Sequence, residues 1–229
     1  KAREIYWNQA YKGLFKYGID GWWCDSSEPF CADWDGEVKE EPLKRVIKCT
    51  DEFKKHLDPE IINSYSLQHS KTIYEGQRKV SDKRVVNLTR SYFPGQQRYS
   101  TIVWSGDVSA TWDVFRKQIA EGLNLCVTGM PRWTVDIGGF FTNSKDFWFY
   151  KGAYPKGSKD EAYRELYLRW FQFGAFLPMF RSHGTDTPRE VWQFGEEGEV
   201  FYDTLVKFIR LRYRLLPYIY SLAAQEVHN

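Results

Sequence analysis

Two aspartates have the setting of groups that do chemistry. Asp25 ends the apolar run Gly21-Trp22-Trp23-Cys24, and Asp107 closes Thr101-Ile102-Val103-Trp104-Ser105-Gly106. Each follows aromatic residues and adjoins small ones, which let a substrate approach: Ser26 and Ser27 beside the first, Ser105 and Gly106 beside the second. Hydrolysis of a glycosidic bond needs two such carboxyl groups, one to attack or stabilise the anomeric carbon and one to protonate the leaving oxygen. A single Asp at the end of a strand is as readily the N-cap of the next helix. Several such residues on successive strands turn the reading towards a site.

Other polar side chains fall at similar points. Glu28, three positions after Asp25, is either a capping-box partner or a group that orients the loop holding Asp25. Arg90 closes the run Val85-Val86-Asn87-Leu88-Thr89. A buried arginine must be paired, so Arg90 either bridges carboxylates or grips substrate hydroxyls and a charged nucleophile. Asp136 follows Trp133-Thr134-Val135, and Gly138-Gly139 after it would leave room for a carboxylate that accepts from sugar hydroxyls. His183, between Ser182 and Gly184, could donate to a hydroxyl; the plainer reading of a lone histidine is a core residue satisfied by backbone. Asn87-Leu88-Thr89 has the form of a glycosylation acceptor but lies in a strand that reads as buried.

These residues need elements to position them. Residues 2–17 read as a helix, with Ile5, Trp7, Tyr11, Leu14 and Phe15 broadly on one side and Gly18 as the stop. The polar stretch 26–83 holds helices near 43–56 and 58–77. Trp112, Phe115, Ile119 and Leu123 stand at helical spacing and predict an amphipathic helix. Further helices are expected over 159–175 and 198–227, the last kinked or broken at Pro217. A fifth apolar run, Leu177-Pro178-Met179-Phe180, precedes Arg181-Ser182-His183.

Strands alternating with helices imply a parallel sheet and an α/β fold. Five strands that each deliver a polar side chain at the C-terminal end match the way a (β/α)8 barrel presents its site. A doubly wound sheet concentrates its chemistry at one switch point, and no Gly-x-Gly-x-x-Gly follows the first strand. A whole barrel takes eight strands and about 250 residues. Five strands in 229 residues predict a partial (β/α)8 TIM barrel, about strands 4–8 and their helices.

Composition bounds the rest. Aromatic residues make 18% of the chain, with Trp 10, Tyr 15 and Phe 16, which fits either stacking on sugar rings or an aromatic-rich core. Lys+Arg 32 against Asp+Glu 30 leaves a net charge of +2, which argues for neither nucleic acid nor an anionic membrane as partner. The charged runs at 37–41 and 54–55 are short and mixed, and read as solvated faces. No stretch reaches the ~20 apolar residues of a membrane span. Lys1-Ala2-Arg3-Glu4 is not a signal peptide, and cytoplasmic and periplasmic or secreted placements both fit. The four cysteines form no Cys-x-x-Cys pair and the four histidines no ligand-spaced cluster, so neither a metal nor another cofactor is expected. Cys24 and Cys126 read as small buried hydrophobes.

The motifs together resemble glycoside hydrolase family 31. Gly18-Ile19-Asp20-Gly21-Trp22-Trp23-Cys24-Asp25-Ser26-Ser27-Glu28-Pro29 is similar to its nucleophile signature, Trp-x-Asp-x-x-Glu. Leu88-Thr89-Arg90-Ser91-Tyr92-Phe93-Pro94-Gly95-Gln96-Gln97-Arg98-Tyr99 resembles its strand-five segment, and Trp104-Ser105-Gly106-Asp107 its acid/base segment. Asp136-Ile137-Gly138-Gly139-Phe140 resembles the next segment, and Arg169-Trp170-Phe171-Gln172 through Phe180-Arg181-Ser182-His183-Gly184 the one after it. The five motifs stand in family order and span nearly the whole chain.

The resemblance implies that residues 1–229 are the C-terminal part of a catalytic (β/α)8 barrel, with the family's flanking β-domains outside it. It implies a retaining, exo-acting hydrolase for oligosaccharides with a terminal α-linked sugar. Asp25 would be the nucleophile and Asp107 the acid/base, with Glu28, the glutamate of the nucleophile signature, the third catalytic residue. Trp23, Arg90, Trp104, Asp136, Phe140 and His183 would line the site of the bound sugar. Many family α-glucosidases carry Asp-Met-Asn-Glu where this chain has Asp25-Ser26-Ser27-Glu28. The form here looks closer to α-xylosidases, with α-glucosidase, transglycosylase and sulfoquinovosidase activities as alternatives. A catalytically inactive carbohydrate-binding barrel is the reading against which both Asp25 and Asp107 argue.

Overall fold

A computed structural model describes residues 1–28, 41–143 and 152–228. Pro29, Cys31 and the charged run up to residue 40 lie outside the described residues. The chain divides into two units, Lys1–Trp104 with Cys126–Arg132, and Ser105–Leu125 with Trp133–Asn229.

In the first unit, α1 (Ala2–Gly13) passes through a short 3-10 turn and stops at Gly18, whose φ of 99° is left-handed. After it come β1 (Trp22–Cys24), α2 (Pro42–Phe53), α3 (Tyr65–Val80), β2 (Asn87–Thr89) and β3 (Thr101–Trp104). All three strands are parallel, with Trp23 opposite Leu88 and Leu88 opposite Ile102. The Val103 N–H continues the ladder by donating to the Arg132 carbonyl at 3.0 Å. The core gathers Trp7, Trp22, Cys24, Ile73 and Val85. Of the five apolar residues read as the inner side of α1, Trp7 alone is buried; Ile5, Tyr11 and Leu14 are exposed. The cause is local: Gly76 on α3 has no Cβ, and the Trp7 indole occupies the space one would take.

The second unit is built on α4 (Trp112–Val127), β4 (Trp133–Thr134), α5 (Glu161–Gly174) and α6 (Val200–His228). Its core is aromatic: Phe115 stacks on Trp170 at 5.0 Å and Tyr167 on Phe194 at 4.1 Å. Two expectations for α4 are corrected. Trp112, Ile119 and Leu123 are exposed, while Gln118 and Gly122 face inward, because a Cβ at Gly122 would come within 2.7 Å of the Trp133 indole nitrogen. Cys126, flanked by apolar residues in sequence, is exposed; neighbours on a helix point about 100° apart and do not share burial. Pro217 does not end α6, which runs on to His228.

The fifth run, 177–180, is not a strand. Pro178 has no N–H to give a ladder, and the carbonyls here are taken by side chains instead. Arg212 of α6 donates to the carbonyls of Ala175, Leu177 and Pro178, and the Thr134 hydroxyl donates to that of Met179. Helices separate β1 from β2 and β3 from β4 as the alternation implied, whereas β2 and β3 are joined through a 3-10 turn alone; the discounted acceptor Asn87 is fully buried in β2.

Candidate active site

The end of β1 delivers Asp25, and Ser26 immediately after it takes a φ of 53°. That left-handed turn is costly for a residue with a Cβ and holds only where the surroundings fix it. Here the Ser26 N–H donates to Asp25 Oδ1 at 2.7 Å. Arg90, at the end of β2, brings Nη1 to 3.3 Å from the same oxygen. Both contacts fall on Oδ1, and Oδ2 takes part in neither.

Glu28 holds Arg90 by two bonds, Nε to Oε1 at 2.6 Å and Nη2 to Oε2 at 3.2 Å. Arg90 thus lies between two carboxylates, one of them the candidate nucleophile. Glu28 also has a definite place: its carboxylate faces the guanidinium, with 18% of the side chain exposed, while that of Asp25 is 48% exposed. Trp23 projects from the middle of β1 with 54% of its surface free, edge-on to the buried Trp104 at 6.1 Å. An exposed indole face is a stacking surface for a sugar ring. Beneath Asp25, burial pushes the Cys24 thiol up to about 12, so it stays a neutral hydrophobe.

The second unit positions the other candidates. Asp107 follows Gly106, whose φ is 80°. Its loop is tied to the next by the Phe140 N–H donating to Val108 O at 2.7 Å and the Ala110 N–H donating to Phe141 O at 2.8 Å. Gly138 and Gly139 serve this packing. A Cβ on Gly138 would lie 2.8 Å from the Tyr163 hydroxyl, and one on Gly139 would lie 2.6 Å from Ala110 Cα. The Gly138-Gly139 pair is thus taken up by close packing against Tyr163, Tyr167 and Ala110. Asp136 is itself fully buried, and its carboxylate pairs with Arg181. His183 is half-buried, its ring 5.4 Å from that of Phe140.

Sequence reasoning missed Arg189. Its guanidinium donates to the carbonyls of Gly139, Phe140, Thr185 and Thr187, at 2.9 to 3.1 Å, which joins the Phe140 loop to the segment after His183. It also missed the Ser27 hydroxyl, which lies within hydrogen-bond reach of those of Thr89 and Ser91. Polar residues inside apolar strand ends were the available signal. Among the described residues no group of three His, Cys, Asp or Glu side chains could hold a metal ion, and no helix is long and apolar enough to cross a membrane.

Residues 1–222 match the glycosyl hydrolases family 31 TIM-barrel domain. The chain belongs to glycosyl hydrolase family 31. Its four described strands are accordingly part of a (β/α)8 barrel. An α-xylosidase of Saccharolobus solfataricus is 44% identical over 97% of this chain and 27% of its own length. An α-glucosidase 2 of Bacillus thermoamyloliquefaciens is 33% identical over 100% of this chain and 26% of its own. Among solved structures, the family 31 α-xylosidase of Xanthomonas citri superposes with a TM-score of 0.78 at 40% identity, covering 97% of this chain and 23% of that one. The chain thus spans about a quarter of the length of these family 31 relatives.

Proposed function

We propose that the protein carrying this family 31 chain is a retaining, exo-acting α-glycosidase that releases terminal α-linked xylose. The observation that carries the reading is the grouping of Asp25, Arg90 and Glu28 at the ends of β1 and β2. A guanidinium is fixed by one carboxylate and set against a second, whose other oxygen faces neither contact. Attack by Oδ2 on the anomeric carbon forms a glycosyl ester and expels the leaving oxygen, which takes its proton from Asp107. Asp107, now a carboxylate, accepts a proton from water as that water opens the ester, and the configuration is retained. Arg90 stays paired to Glu28 while the charge on Asp25 is consumed, so no lone cation is created. The α-xylosidase relatives and the Ser26-Ser27 form of the loop support xylose over glucose.

The test is product stereochemistry in the intact protein with a panel of aryl α-glycosides. Proton NMR of the first-formed sugar should show the α anomer, with xyloside turned over faster than glucoside. Asp25→Ala should lose activity by about 10⁴-fold or more, the scale set by removal of a nucleophile. A β first product, or Asp25→Ala activity near wild type, would overturn the reading.

A further inference from the structure

Beside the Asp25–Arg90 pair lies a cluster of neutral hydroxyls. Ser27 is 3% exposed, and its hydroxyl lies 2.5 Å from that of Thr89 and 2.7 Å from that of Ser91. The Ser91 hydroxyl also donates to the Ser27 carbonyl at 3.0 Å, and the Ser27 hydroxyl reaches the Cys24 carbonyl at 3.4 Å. The chain of bonds goes on inward. Gln96, fully buried, donates to the Ser91 carbonyl and to the Ser70 hydroxyl on α3, both at 3.0 Å, and accepts from the Phe93 N–H at 3.0 Å.

The positions matter more than the number of bonds. Ser27 lies between Asp25 and Glu28, whereas Thr89 and Ser91 bracket Arg90. The cluster therefore clamps the loop that carries both carboxylates to the strand end that carries the guanidinium. The left-handed Ser26 between Asp25 and Ser27 makes that loop one that needs a clamp. Only a small hydroxyl fits so close to both partners; an amide at position 27, as in the Asp-Met-Asn-Glu form, is larger and could not keep both contacts at these lengths.

We propose that Ser27 is a positioning residue: with Thr89 and Ser91 it fixes the approach of Asp25 Oδ2 to the anomeric carbon. This rests on the proposed glycosidase reading and deepens it. Misplacement acts on the attacking geometry and not on ground-state contacts with the sugar, so it should appear in kcat and spare KM.

The experiment uses Ser27→Ala and the near-isosteric Thr89→Val in the intact protein, assayed on an aryl α-xyloside well below the melting temperature. Both should lower kcat by about tenfold or more with KM within about twofold, since displacements near 1 Å cost up to about 10². The double variant should lose little beyond the worse single one, because both act through one clamp. Ser27→Thr, which keeps the hydroxyl, should recover part of kcat. Thr89→Val keeps the side-chain shape, so it reads the clamp even if Ser27→Ala folds poorly. Variants with wild-type kcat and only a lower melting temperature would overturn the positioning role alone. A wild type inert towards aryl α-glycosides would overturn it together with the proposed function.

Discussion

At the scale of single residues, the site is organised by Arg90. Its two bonds to Glu28 leave Nη1 directed at Asp25, so removing the charge of Glu28 should disturb both partners. Glu28→Gln sets an amide N–H against the guanidinium, which should cost about 1.5–3 kcal/mol of stability, the worth of charged hydrogen bonds. Activity should fall by more than stability explains, measured as kcat beside the denaturation midpoint. Cys24 gives a pH prediction. Its thiol is raised by burial from 9.0 to about 12, so the folded state stays protonated while the unfolded chain loses its proton near pH 9. The stability tied to it is complete below pH 9 and is lost as pH rises towards 12. Cys24→Ala should therefore flatten the fall in denaturation midpoint between pH 9 and 10.5. Asp25, Asp107 and Arg90 were legible because each interrupts an apolar run. The clamp of Ser27 was not, since its partners are 62 and 64 positions away and each hydroxyl alone looks like an ordinary small residue.

At the scale of elements, buried parallel strands announce themselves as short apolar runs, and four of five such runs are strands. The fifth fails at Pro178, where a side chain replaces the ladder. Arg212 is 8% exposed, and burial lowers its affinity for a proton; its cost is offset by the carbonyls of Ala175, Leu177 and Pro178. Arg212→Met keeps the aliphatic stem and removes every donor, orphaning carbonyls at about 1–3 kcal/mol each. Thermal inactivation should shift down by several degrees, whereas Arg212→Lys should restore part of the loss. The helix faces were read less well than the helices. On α1 and α4 the close approaches at Gly76 and Gly122 decide what is inside, and a glycine carries no apolar signal to reveal it.

At the scale of the whole molecule, each unit exposes large apolar side chains. Leu14 and Tyr17 follow α1 at 54% and 74% exposure, and Tyr213 and Tyr220 on α6 stand at 70% and 62%. Isolated apolar residues are ordinary on a surface, but groups of them mark faces that bind something. The 229 residues expressed alone should therefore bind a hydrophobic dye and melt without cooperativity, as read by fluorescence and circular dichroism. The central claim is that Asp25 becomes the glycosyl ester, and covalent trapping tests it most directly. The intact protein, treated with a fluorinated α-xylosyl fluoride and digested, should yield one peptide heavier by the fluoroxylosyl group, with fragmentation locating it on Asp25. A label on another carboxylate, or none while the wild type still turns over the aryl xyloside, would contradict the account.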